Sequence, residues 1–326
     1  MKTTCCEPGS NADAPIFLSE AEAAKRLTPA LLLETVETTL RQLAAERATV
    51  ATPSMIAVED ARGRRAFKAM PGALPEQNVA GVKWVGTFDR NAQAGLPRAP
   101  ATVVLTDFTN GTLLGIVEAT GLTAWRTAAM ATVAARHAGL ASPARIAVLG
   151  FGAIGKALAA LLAHGFPQAE IRVWSRDQRK TDADAQALLE ETGIRVTPAA
   201  RVEQAVDRAS IIVTATGLSA DAPFLSRSMV KTPAFICGLG SYQELADDLI
   251  LAADTLIVDD WQAATKRGNL APLIKAGRLT PERLDASLAE WVAGKLAGRA
   301  HPHLTVASFT GLGVLDVAMA AKLLGR

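Results

Sequence analysis

Apolar residues recur along this chain with two different periods, and the change between them divides it. From Phe17 to about Glu46 the spacing is helical. A short strand entry leads to Ser19 and Glu22, the S-x-x-E spacing of a capping box, which predicts a helix start. Thr28 followed by Pro29 predicts a second start, because proline suits the first helical position. Residues 54 to 118 alternate as strands do, with breaks at Pro71-Gly72, Gly81, Gly95-Leu96-Pro97 and Asn110-Gly111. Asp107 to Gly111 reads as the turn of a hairpin between 102–105 and 113–117. An alanine-rich helix is expected over 121–139. Beyond it, short apolar runs at 145–149, 171–174, 211–214, 234–237 and 255–258 alternate with helical stretches. That order implies a parallel sheet with right-handed crossovers. Residues 312–324 read as a last amphipathic helix. The expected fold class is α/β: a Rossmann-type, doubly wound parallel sheet preceded by an α+β region. A length of 326 residues suits two domains.

The sharpest chemistry sits where the first of those parallel strands ends. Ile146 to Leu149 stops at Gly150, followed by Gly152 and Gly155 and an Ala/Leu-rich helix. This is the strand–turn–helix setting of a dinucleotide fingerprint. Gly150 permits the turn, Gly152 lets backbone approach a pyrophosphate, and Gly155 lets helix pack on strand. Ala153 and Ile154 open the helix, whose first N–H groups face the phosphates. About twenty residues on, where an NAD site places a carboxylate, stand Ser175 and Arg176, with Arg179 and Lys180 close by. A hydroxyl and cations suit a 2′-phosphate, so NADP(H) is the favoured cofactor and NAD(H) the alternative. A solvated basic helix start is the plain reading of the same residues. Thr214, Ala215 and Thr216 end another strand on the cofactor edge, where backbone and hydroxyls could touch the dinucleotide.

Composition narrows the partners. With 34 basic against 32 acidic residues the net charge is +2, which gives no reason to expect nucleic acid or an anionic membrane. Cys5, Cys6 and Cys237 draw neither a disulfide framework nor a zinc spacing, which fits a cytoplasmic protein. The first 16 residues read as a loose tail. His137, His164, His301 and His303 have no metal or triad partner, and no metal is expected. Two cations stand out by context: Lys83 within an apolar strand, and Arg126 on a helix of small and apolar residues. Such cations are paired with an anion. A structural Asp and a substrate carboxylate are both open as that anion.

Taken together, Gly81-Val82-Lys83, Gly95-Leu96-Pro97, Arg126-Thr127-Ala128-Ala129, the Gly150–Gly155 turn, Val258-Asp259-Asp260 and Gly311-x-Gly313-x-x-Asp316 resemble the ornithine cyclodeaminase/mu-crystallin family over nearly the whole chain. The resemblance implies a homodimer acting on a small amino acid or imine. Its substrate-binding and dimerisation domain would comprise residues 17–125 plus 305–326, with a Rossmann domain over 126–304. It implies that Lys83 manages a proton, that Arg126 clamps a carboxylate, and that Thr127 and Gly311 lie against the cofactor. A family arginine that helps hold the carboxylate is Ser54 here, leaving Arg64, Arg65 and Lys68 as cations that could compensate. The aspartate that cyclodeaminases carry after a strand-end glycine is absent from Leu239-Gly240-Ser241-Tyr242, which speaks against ornithine cyclisation.

Within the family, Gly81 to Gly86, Arg98 to Ala101, Glu118 to Leu122 and Ala253 to Trp261 look closest to the branch that oxidises N-(2-amino-2-carboxyethyl)glutamate for siderophore synthesis. The expected activity is therefore oxidoreduction at an amino-acid C–N bond of that type. Cyclic ketimine (pyrroline- or piperideine-2-carboxylate) reduction, ornithine cyclodeamination and non-catalytic NADPH binding of the mu-crystallin type are the alternatives.

Overall fold

In the computed structural model, the described residues are 14–60, 63–88, 90–140, 142–217, 220–298 and 303–326. Residues 1–13 of the tail expected over 1–16, with Cys5 and Cys6, lie outside them, as do His301 and the side chain of Arg64, whereas Ile16 already opens a strand.

Two sheets carry the fold. The first has seven strands: β1 (Ile16–Leu18), β2 (Thr49–Val50), β3 (Ser54–Asp60), β4 (Gly63–Leu74), β5 (Val79–Phe88), β6 (Ala101–Asp107) and β7 (Leu113–Glu118). Their order is β1-β7-β6-β5-β4-β2, with β3 also on β4. Only β1–β7 is parallel. The hairpin expected about Asp107 to Gly111 joins β6 to β7, and Asp107 accepts the N–H groups of Thr109 and Asn110 in its turn. Helix α1 (Glu20–Arg26) starts with the complete Ser19–Glu22 capping box, and α2 (Pro29–Ala44) with Thr28 as its cap.

The register decides which side chains meet. Lys83 sits opposite Met70 and Val103, and Lys68 opposite Val85 and Met55. Side chains alternate faces along a strand, so Lys68, Met70, Lys83 and Val103 share one face. That face is covered by α3 (Thr120–His137) and the C-terminal helix Gly313–Leu323, and α2 packs on both of these helices. Ser54 sits opposite Ala69, which sits opposite Trp84, on the other face. The outer face also carries Ile56, Val82, Val104, Ile116 and Phe17 by the same register. Phe67 stacks on Trp84 there at 5.6 Å. Ile56 and Trp84 are 59% and 42% exposed.

The second sheet is parallel throughout, in the order β10-β9-β8-β11-β12-β15-β13-β14. Its strands are β8 (Arg145–Leu149), β9 (Glu170–Trp174), β10 (Thr197–Pro198), β11 (Ile211–Thr214), β12 (Ala234–Gly238), β13 (Thr255–Val258), β14 (Ala286–Ser287) and β15 (Leu304–Ser308). Helices α4 (Ala153–Gly165) and α5 (Gln178–Thr192) follow β8 and β9. With its helix-bearing crossovers this is the Rossmann-type α/β arrangement. The order reverses between β8 and β11, so the ligand crevice lies outside their carboxyl ends.

Both expected domain boundaries fall within or beside regular elements. Position 125/126 falls inside α3, which runs unbroken from Thr120 to His137 and packs on both α2 and α4. Buried Leu304 to Ser308 enters the parallel sheet between β12 and β13, so the chain returns to the first sheet only after Ser308. Among the described residues no helix is long and apolar enough to cross a membrane, and no group of three or more His, Cys, Asp or Glu could hold a metal.

Candidate active site

The C-terminal helix lies close enough on the first sheet to bring an acid to Lys83. At Gly72 a Cβ would fall 2.5 Å from the Cα of Val314, so a side chain there would push the helix away. Two residues further on, Asp316 is wholly buried. One of its carboxylate oxygens is 2.8 Å from the Lys83 ammonium, and the other accepts from Nε of Arg126 at 2.9 Å. Lys83 itself is 1% exposed. Arg126 is aimed by α3, whose first N–H groups, those of Thr120 and Gly121, are capped by the Glu20 carboxylate at 3.0 and 2.6 Å.

The cluster holds two cations and one carboxylate. Burial, then the Arg126 charge, lowers the Lys83 pKa to about 7 even though Asp316 pulls it upward. Arg126 Nη1 is buried and has no hydrogen-bond partner. A guanidinium N–H left this way is a vacant donor beside a positive charge, the setting that receives an anion. Thus the structural anion left open by the sequence exists, as Asp316, and it leaves one arm of the arginine over.

The segment beside that arm is tied down from the second sheet. Asp259, at the end of β13, accepts the Thr310 and Gly311 N–H groups at 2.8 and 2.5 Å and the Thr310 hydroxyl at 3.2 Å. Arg267 donates to the Thr310 carbonyl from the other side. Gly311 has φ +97°, and a Cβ on it would lie 3.0 Å from Arg126 Nη1. Only glycine keeps that arm clear.

The glycine turn has the geometry its spacing predicts. A side chain on Gly150 (φ +105°) would lie 2.5 Å from the Ala215 carbonyl oxygen, and one on Gly155 would overlap the Gly150 carbonyl. Gly152 faces open space and, as the cap of α4, brings no side chain to its first N–H groups, those of Ala153 and Ile154. These residues fit a dinucleotide pyrophosphate. Beyond β9, Asp177 caps α5 by accepting the Lys180 N–H at 3.0 Å. The Ser175 hydroxyl is 2.5 Å from that of Thr181, while Arg176 and Arg179 are exposed.

Other expected contacts are committed elsewhere. The Thr214 hydroxyl donates to Glu244 at 2.5 Å, and Thr216 donates both its hydroxyl and its N–H to the same carboxylate. The Thr127 hydroxyl donates to the Thr123 carbonyl at 2.7 Å. Ser54 lies on the exposed face, away from Lys83, because pairing with Ala69 puts it there. Arg65 shares that outer face and pairs with Asp60, whereas Lys68 shares the face of Lys83. From the sequence Asp316 stood out only as the last residue of the Gly311-x-Gly313-x-x-Asp316 motif, with no role assigned to it, and Glu244 did not stand out. For Asp316 a signal existed: a lone acid within Gly313-Val-Leu-Asp-Val-Ala-Met-Ala320 is as conspicuous as Arg126 in its own helix.

A Rossmann crevice facing a buried Lys–Asp–Arg cluster defines a two-domain, nicotinamide-dinucleotide-binding class of protein. The chain belongs to the ornithine cyclodeaminase/mu-crystallin family, whose model matches residues 14–324. A Δ1-pyrroline-2-carboxylate reductase of Bacillus cereus is 28% identical over 290 residues, 87% of this chain and 88% of that protein. The N-((2S)-2-amino-2-carboxyethyl)-L-glutamate dehydrogenase of Staphylococcus aureus is 27% identical over 240 residues, 71% of this chain and 69% of its own. Among solved structures, the Thermococcus litoralis Δ1-pyrroline-2-carboxylate reductase in complex with NADH and L-proline superposes with a TM-score of 0.87 at 23% identity, covering 95% of this chain and 96% of that one. It shares the fold.

Asp316→Ala leaves two buried cations without their anion and should cost about 3–5 kcal/mol of unfolding free energy. Adding Lys83→Met should recover part of the loss. Denaturant midpoints of the single and double variants measure both.

Proposed function

We propose that this NAD(P)-dependent oxidoreductase, which works at an amino-acid C–N or C=N bond, reduces a cyclic α-imino acid of the Δ1-pyrroline-2-carboxylate type. The observation that carries the reading is the buried Lys83–Asp316–Arg126 cluster with its vacant guanidinium arm. The match to the Bacillus reductase spans more of both chains than the match to the siderophore-branch dehydrogenase, so the imine-reductase alternative replaces the expectation of that dehydrogenase. Ser241 in the place of the cyclodeaminase acid supports reduction over ammonia release.

When bound, the reduced nicotinamide supplies the hydride that adds to the imine carbon. Gly150, Gly152, Ala153, Ile154 and Gly155 would hold the pyrophosphate, and the Ala215 backbone and Gly311 would line the path beyond it. Arg126 Nη1 takes the α-carboxylate and so fixes the imine carbon, a positioning effect that can supply several kcal/mol, up to about 10. Lys83 donates its proton to the imine nitrogen as the C=N electron pair becomes the nitrogen lone pair. A pKa of about 7 lets one amine give that proton and regain it from solvent near neutrality. Lys68 stands on the same face and would meet the far side of the substrate. Asp177 is used as a helix cap and leaves a hydroxyl and exposed arginines at the ribose end, which supports NADP(H) over NAD(H). The outer face of the first sheet, with Phe17, Ile56 and Trp84 exposed, is the surface on which two copies would pair.

The reading is tested by following NADPH oxidation with pyrroline- and piperideine-2-carboxylates. Turnover is expected, and Lys83→Ala and Arg126→Ala should each lower kcat/KM at least about a hundredfold while dinucleotide affinity stays within a few-fold. Absence of turnover with either imine, alongside turnover of the glutamate–diaminopropionate adduct, would restore the siderophore reading. The proton donor must be charged. The kcat/KM for reduction, which reports the free enzyme, should therefore fall as pH rises through about 7, and kcat/KM for the reverse oxidation, which needs the neutral amine, should rise. Titration with the two reduced cofactors should favour NADPH; a clear preference for NADH would overturn that choice. Trp84→Glu should convert a dimer to monomers in sedimentation equilibrium, and an unchanged mass would place the interface elsewhere.

A further inference from the structure

Glu244 is a buried acid with no part in the mechanism above. It lies in the loop after β12 and is 0% exposed. Its carboxylate accepts the Thr214 hydroxyl at 2.5 Å, the Thr216 N–H at 2.8 Å, the Thr216 hydroxyl, and a backbone hydrogen bond from Gly240. The loop that carries it is itself fixed, since the Glu244 and Leu245 N–H groups both donate to Asn269 Oδ1, at 2.8 and 2.9 Å. Two of the four donors are backbone N–H groups, which cannot accept a proton in return, so these contacts favour the ionised form. Burial outweighs these donors and holds the Glu244 carboxyl above its ordinary value, so its charge is only partly compensated inside the pocket. What the pocket lacks is a cation: among the described residues Glu244 has no ion-pair partner. A buried anion held only by dipoles is costly unless a positive charge visits it.

The strand order says what would visit. Reading across the carboxyl edge of the second sheet, Ser175 follows β9, the glycine turn follows β8, Thr214 to Thr216 follow β11, Glu244 follows β12 and Gly311 follows β15. A dinucleotide with its pyrophosphate at Gly152 and its adenosine ribose at Ser175 must send its other end over β11 and β12. There it meets Arg126 beside Gly311. The turn held by Glu244 also packs directly on the glycine turn, because the Ala215 carbonyl occupies the place of a Gly150 side chain.

We propose that Glu244 is the fixed counter-charge of the oxidised, cationic nicotinamide, so that the cleft holds the oxidised dinucleotide more tightly relative to the reduced one than a neutral residue would allow. This rests on the dinucleotide-binding reading of the crevice. Glu244 acts through the Thr214–Thr216 turn and through its charge; it is a positioning residue and touches no reacting atom. An amine-independent consequence follows: the reduction potential of the bound couple is lower than it would be without the acid.

Equilibrium titration of the full chain with NADP⁺ and with NADPH, in the absence of substrate, separates this from a structural role. In Glu244→Gln the ratio of the oxidised to the reduced dissociation constant should rise about tenfold or more. The Thr214→Val, Thr216→Val double variant leaves the carboxyl in place but strips two of its donors. It should shift the ratio the same way by a smaller factor, and it carries the test if Glu244→Gln does not fold. Weakening of both forms by one common factor, or an unchanged ratio, in a folded variant overturns the proposal and leaves Glu244 a loop pin. Failure of the unmodified chain to bind either form overturns the dinucleotide reading itself, and this inference with it.

Discussion

The arrangement turns on one carboxylate. Asp316 is enclosed by the Lys83 ammonium on one oxygen and the Arg126 guanidinium on the other. Neither cation could remain in that apolar setting without it, since an isolated buried charge is far costlier than a paired one. Three segments distant in sequence are thereby held at a point: strand β5, helix α3 and the C-terminal helix. The cluster is a packing constraint and, in the proposed function, a reactive group at once. Its second property comes from incompleteness, because one anion does not neutralise two cations, and the surplus appears as a vacant Nη1 and a weakened lysine base.

The two sheets meet this cluster from opposite directions, and each is tied to it by an acid. From the first sheet, period-two alternation turns Lys83 inward while sending Trp84 out. From the second, Asp259 grips the Thr310–Gly311 backbone and so sets the path into the C-terminal helix that bears Asp316. The bare Cα of Gly311 then leaves room beside the arginine arm. Cofactor side and substrate side are thus connected through a short run of backbone, which explains why a helix at the far end of the chain belongs to the first sheet's core.

The parts of this that could be read in the sequence are those encoded locally. The glycine turn, the capping boxes, the hairpin and the parallel strands each depend on neighbours a few residues apart. Lys83 and Arg126 were legible because a charge in an apolar run demands a partner. Asp316 obeys the same logic but lies 190 positions from Arg126, and spacing cannot join residues that only a tertiary fold brings together. Ser54 shows the complementary limit: its face depends on the register with β4, and one step along the strand reverses it. The β15 run was hidden because it fills a place between β12 and β13 that the chain order does not announce. Thr214 and Thr216 stand at the right edge, yet their hydroxyls are spent on an acid from the next loop.

The surplus charge also bears on direction. In the free cleft, the Arg126 charge is one of the two main reasons the Lys83 pKa is low, after burial. A substrate carboxylate seated on Nη1 would offset that charge at close range and would restore the lysine's proton affinity just as the imine arrives. The lysine is then protonated in the complex that needs a donor and free to equilibrate in the complex that does not. An enzyme working mainly in oxidation would gain from the opposite coupling, a base that weakens its hold on protons as substrate binds. On the proposed roles of Lys83 and Arg126, the pairing of one carboxylate with two cations would therefore favour imine reduction on electrostatic grounds, independently of which ring the imine carries.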